Sequence, residues 1–226
     1  MKRFLAHTCR ILGAAFFITS PFLTHLSLTY GNPDSTGFHV AASVLLLCQG
    51  VLVSILIGRR LPSSFRLPAV IAVMACTAAL CLFHLRSGLM LSSGSPHALI
   101  YSVLLIVFGL SLLPGREPIV TYFARTIHGQ IAPEIEDYTR RVTWVWCWFF
   151  GLELLGSAVL LTLAPIAWWS IFVNVLNVPL LAAMFLGERL TRPFWVVNPP
   201  HEYLNDFLRM PKLLMQGLKN RGAEAL

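Results

Sequence analysis

The chain has 226 residues, 56% of them hydrophobic and 12% charged, with a formal net charge of +7 at pH 7. A soluble domain carries about 25% charged residues, so a water-facing surface all round is excluded and lipid is the expected medium. The excess positive charge falls between apolar runs, so it reads as membrane topology, and no nucleic-acid partner is expected.

Apolar runs lie near residues 11–29, 38–57, 68–85, 98–113, 143–164 and 166–186. Most approach the ~20 residues that a helix needs to cross a bilayer. Backbone polar groups in lipid are satisfied within the segment, so these runs are read as helices. The expected fold is an all-α integral membrane protein of about six transmembrane helices in three antiparallel hairpins. An amphipathic cytoplasmic loop helix and a C-terminal tail helix complete it. The expected division is a transmembrane domain at 1–192, with its cytoplasmic loop at 114–142, and a cytoplasmic amphipathic tail at 193–226.

The first run follows Lys2 and Arg3 and continues past "ITSPF" without a small-x-small cleavage pattern, so it reads as a retained anchor. Turn chemistry separates the later runs: "YGNPDSTG", "RRLPSSFR", "SSGSPH", "LLPGREP" and "LAPIA". The fourth run is short and would borrow residues from its flanks.

With six spans, sixteen of the seventeen Lys and Arg fall on one side and only Arg86 on the other. The positive-inside rule makes that side cytoplasmic, with both termini there. Trp144, Trp146 and Trp148 then mark the inner entrance of the fifth span. Trp168 and Trp169 mark the outer entrance of the sixth, and Trp195 follows its exit. The five cysteines show no CxxC and read as small packing residues.

The long polar interruption "GREPIVTYFARTIHGQIAPEIEDYTRR" divides into two helical pieces. Pro118 suits a helix start and Gly129 a helix stop. Ile119, Val120, Phe123, Ala124 and Ile127 share one face, opposite Thr121, Arg125 and His128. A second helix starts at Pro133, with Glu134 and Glu136 where the helix dipole favours acids. Glu136 with Arg140, and Asp137 with Arg141, have the spacing of helical ion pairs. Arg125, His128, Arg140 and Arg141 form a candidate surface for an anionic headgroup or a soluble partner.

Glu153 is the one carboxylate clearly inside an apolar run. It lies twelve residues before Pro165, and Asn174 and Asn177 lie nine and twelve after it. At 1.5 Å rise per residue, all three sit about 14–18 Å from the turn. They form a candidate intramembrane polar cluster, serving either proton transfer or helix pairing. His25, His39, His84 and His97 fall near the outer ends of spans, but no two share a helix at ligand spacing. No metal and no cofactor are expected. After Pro211, Leu213, Leu214 and Leu218 oppose Lys212, Gln216 and Lys219, as in a helix lying on an anionic leaflet.

The segments "IHGQIAPEIEDYTRRVTWVWCWFF" and "LAPIAWWSIFVNVLNVPLLAAMFLGERLTR" resemble a family of small uncharacterised bacterial membrane proteins encoded among aryl polyene and related pigment-lipid biosynthesis genes. The resemblance covers about the second half of the chain and brings no catalytic residues with it. It implies an inner-membrane setting, membrane lipid as a partner, and acyl-carrier or synthase proteins as further partners. Some family members are named ketosynthases. A condensing enzyme needs a reactive cysteine with histidine partners on a large soluble fold, and Cys147 among Trp and Phe does not meet that need. The expected function is a non-catalytic subunit that supports such a pathway and docks its soluble proteins. The alternative is a small membrane enzyme or proton-coupled transporter using Glu153.

Overall fold

The structure, a computed structural model, describes residues 2–195, apart from the side chains of 2–12, 14, 17, 128 and 193–195. The described residues are helical except for short connections, with no strand among them. In chain order the elements are α1 (Lys2–Tyr30), α2 (Thr36–Arg60), α3 (Ser63–Phe83), α4 (Leu85–Ser111), α5 (Ile119–His128), α6 (Pro133–Leu163), α7 (Ile166–Ile171), a π-helical turn (Phe172–Leu176) and α8 (Asn177–Trp195). Five helical stretches are long and apolar enough to cross a membrane: α2, α3, α4, α6, and the stretch Ile166–Arg192 through α7 and α8. The protein is a multi-pass helical membrane protein. The first predicted span falls within α1. The predicted tail beyond α8, with its helix after Pro211, lies outside the described residues.

Local chemistry explains most helix boundaries. Ser35 caps α2 by accepting the Phe38 N–H at 3.1 Å, and Asn32 Oδ1 accepts the Asp34 N–H at 3.0 Å in the preceding turn. Gly129 ends α5 at φ +76°, a conformation that a side chain would strain. Pro133 opens α6, which runs without a break for 31 residues.

The boundary between α3 and α4 differs from the expectation. The "SSGSPH" stretch is not a turn but lies inside α4, and the chain breaks at His84 instead. Two features keep this stretch helical. Ser92 donates to the Leu89 carbonyl at 2.9 Å and Ser93 to the same carbonyl at 3.1 Å, so the serines bond within the helix. Gly94 makes room for packing: a Cβ there would stand 3.0 Å from Trp169 Cζ2. The result is a helix of 27 residues in place of the short fourth run.

The chain forms two compact units. The first joins residues up to Ile100 with Leu154–Leu180, and the second joins Tyr101–Glu153 with the described residues from Leu181 onward. Thus α4, α6 and α8 contribute to both. The first unit is built on Leu28, Leu45, Leu46, Leu85, Leu89, Trp169 and Val173, all buried. Within it α2 meets α3 closely at Gly50, where a Cβ would come within 2.6 Å of Thr77 Oγ1. Small residues at such crossings let helix backbones approach in lipid.

The second unit has an aromatic core. Trp146 packs edge-on to Phe185, with ring centres 4.7 Å apart, and Phe108 packs edge-on to Phe150 at 5.1 Å. The tryptophans at each predicted span entrance divide between surface and core. Trp144, Trp148 and Trp168 are exposed, whereas Trp146 and Trp169 are buried. Trp144 and Trp148 are four apart and share a helix face, which leaves Trp146 on the other side.

Candidate functional site

Three polar centres stand out. The first lies in the second unit, where α5 meets the start of α6. Thr121 Oγ1 and Thr139 Oγ1 are 2.7 Å apart and both buried. Thr139 donates to the Ile135 carbonyl at 2.8 Å, so Thr121 is the donor between them. The Ile119 N–H donates to Ser111 Oγ at 3.0 Å, tying the start of α5 to the end of α4. Arg125 then reaches both Glu117, at 3.2 Å, and Glu136. Glu136 therefore pairs with an arginine eleven residues earlier rather than with Arg140, the partner its spacing suggested. Arg140 is exposed and points a guanidinium N–H at the Leu112 carbonyl, 3.4 Å away.

Around these groups lies an open cleft of about 360 Å³. Arg116, Arg125 and Arg140 face Glu117, Glu136 and Asp137 across it, so its formal charges balance. That balance changes the expected picture of a basic surface: the Arg125 charge is matched by two carboxylates. Arg141 is exposed on α6 outside the cleft lining. His128 is the last residue of α5, and its side chain is outside the described set.

The second centre, also in the second unit, is one that spacing along the sequence did not disclose. Tyr138 donates its hydroxyl to Glu188 Oε1 at 3.1 Å. Arg192 reaches the same oxygen through Nε at 3.0 Å and Nη2 at 2.7 Å. The Glu188–Arg192 spacing of four was visible, but the link to Tyr138 spans fifty residues.

The third centre is a polar ladder in the first unit. Ser170, Asn174 and Asn177 follow one another around the π turn. Asn174 donates to Ser170 Oγ at 3.2 Å, and Ser170 Oγ lies 3.1 Å from His25 Nδ1. Ser170 Oγ receives the Asn174 N–H and still has a proton and a second lone pair for His25 Nδ1, so the tautomer of the imidazole sets the direction of that bond. Asn177 donates to His97 Nδ1 at 2.8 Å. Both histidines are buried, at 8% and 5% exposure. His39 and His84 are exposed. Among the described residues no group of three or more His, Cys, Asp or Glu has the arrangement of a metal site. The π turn ends three residues before Pro179, which has no N–H to continue the regular ladder. Such turns recur at functional positions in membrane helices.

Comparison of the chain with protein-family models, with curated proteins and with solved structures found no match.

Asn174 and Asn177 belong to the first unit, with hydrogen bonds to Ser170 and His97. Glu153 belongs to the second, at 3% exposure, and its Oε2 is enclosed with no hydrogen-bond partner among the described residues. The ladder hydroxyls, amides and imidazoles are able to hold helices in register and to pass a proton. The cleft, with its paired charges and open mouth, is suited to a protein surface of alternating charge rather than to a bare phosphate.

Proposed function

We propose that this chain is a non-catalytic subunit of a bacterial inner membrane that supports the biosynthesis or movement of an aryl-polyene-type lipid or polyketide product. It docks soluble acyl-carrier or synthase proteins on the cytoplasmic face of α5 and the start of α6. In this reading α1 and the five apolar helices make six spans in three antiparallel hairpins, with α5 and both termini on the cytoplasmic side. The segment running from α5 through α8 is also the one that resembles pathway-associated membrane proteins.

The observation that carries the reading is the α5–α6 cleft, in which Arg125 is clamped between Glu117 and Glu136. A clamp of this kind holds charged groups in fixed positions before a partner arrives, which reduces the ordering cost of association. The test is deletion of the protein in its host, followed by fractionation of the lipid product between inner and outer membranes. It is paired with affinity purification of the full chain and of an Arg116→Glu/Arg140→Glu variant. Co-purification of carrier or synthase proteins with the parent but not with the variant supports docking. A normally inserted variant that retains every partner and every product sinks it.

A second reading, a small membrane enzyme or proton-coupled transporter, is favoured by the unpartnered Oε2 of Glu153. A buried carboxyl inside a span is costly to keep for packing alone. Full function of a Glu153→Gln variant in the host excludes the proton-carrier form of this reading.

A further inference from the structure

The face of α2 that meets α3 carries Val51, Ser54, Ile55 and Gly58, at the spacing of a single helical stripe. The two helices touch tightly at Gly50 and Thr77. Two turns further on they part. At Gly58 a Cβ would find only Val70 Cγ2, at 3.8 Å. Between the helices opens a groove of about 440 Å³, apolar along its length, with Val70 and Met74 on the α3 side and Arg59 at one end.

The positive charge at the end of this groove has no counterpart in the fold. Arg59 and Arg60 are exposed and form no ion pair among the described residues, and the sequence has no acid between Asp34 and Glu117 to offer one. Nearby Arg66 turns back to the Leu61 carbonyl at 2.9 Å, which adds a third positive charge to the same loop. An apolar slot ending in a cluster of unmatched guanidinium groups complements a molecule with a hydrocarbon chain and an anionic head.

We propose that the α2–α3 groove is a binding site for one anionic phospholipid, its acyl chain lying along Val51, Ile55, Gly58 and Met74 and its phosphate held by Arg59 and Arg60. This site is independent of the α5–α6 docking surface and stands or falls without it.

Native mass spectrometry of the full chain tests the proposal, using equimolar phosphatidylglycerol and phosphatidylcholine in mild detergent. Retained phosphatidylglycerol is expected to exceed phosphatidylcholine, and Arg59→Gln/Arg60→Gln should reduce that preference by about fivefold for each arginine removed. Gly58→Leu fills the slot while keeping both charges, and should release the lipid. Gly58→Ala, which meets only an ordinary contact at 3.8 Å, serves as the variant that folds normally. Glycerol phosphate without an acyl chain should not displace the lipid. Equal retention of both lipids overturns the proposal, as does displacement by glycerol phosphate. A Gly58→Leu variant that changes oligomeric mass rather than lipid retention also overturns it, because the groove is then an interface between copies.

Discussion

Asn177 donates its side-chain amide to His97 Nδ1 across 2.8 Å, joining the first turn of α8 to the middle of α4. The two residues are eighty positions apart, and the ring is almost fully buried. Interhelical hydrogen bonds in membranes average about 0.6 kcal/mol and reach about 1.7 kcal/mol. A double-mutant cycle of His97→Phe and Asn177→Leu should give a coupling energy within that range. Thermal unfolding in detergent measures it, and additive single effects would show that the contact contributes no net stability.

Ser170 links two partners at once, receiving from Asn174 and approaching His25. Ser170→Ala removes both contacts and leaves buried polar atoms behind. The expected loss is about 1–3 kcal/mol, above the average of about 0.6 kcal/mol for a single interhelical bond. Asn174→Leu leaves the Ser170–His25 contact in place and should cost less. Comparing the melting temperatures of the two variants checks the order.

At the α2–α3 crossing, Gly50→Ala places a methyl group within 2.6 Å of Thr77 Oγ1. Overpacking of this kind costs about 1–3 kcal/mol. Thr77→Ala in the same chain should recover most of the loss, since it removes the atoms that clash. Failure of the second substitution to rescue would mean that the helix backbones themselves are displaced.

The Arg125 clamp is half-exposed, with side-chain exposures of 49% for Arg125 and 44% for Glu136. Exposed ion pairs contribute about 0–1 kcal/mol. Arg125→Ala should therefore leave stability nearly unchanged, while it weakens any partner docked on the cleft. A large drop in melting temperature, without loss of partner, would assign the clamp to folding alone.

Glu153 offers the opposite contrast. Replacement by Leu removes a buried oxygen that has no partner. Stability should be unchanged or should rise by as much as about 3 kcal/mol. A stable Glu153→Leu protein that fails to support its product in the host points to the carboxyl chemistry. Marked instability points instead to a structural bond made by the other carboxyl oxygen.

The helix start at Pro133, the stop at Gly129 and the position of most apolar helices were legible because each depends on a few neighbouring residues. A capping hydroxyl, a proline, a glycine at positive φ or a run of apolar side chains acts over one or two turns. The "SSGSPH" stretch misled because serine, glycine and proline are turn formers in water. Inside an apolar helix the same serines bond to their own carbonyls, and Gly94 instead accommodates a tryptophan ring.

The membrane class, the helical character and the concentration of charge around α5 are thus properties of the sequence by itself. They follow from composition and from the need to satisfy backbone groups locally in lipid. Only the tertiary structure decided that Trp146 is core while Trp144 and Trp148 are surface, that Glu136 belongs to Arg125, and that His25 and His97 meet Ser170 and Asn177. In water a polar face and an apolar face distinguish the outside of a helix from its inside. In lipid both faces are apolar, so periodicity gives little warning of which side chains pack inward. The partners of the few polar groups are then chosen by helix crossings that join residues as many as 145 positions apart.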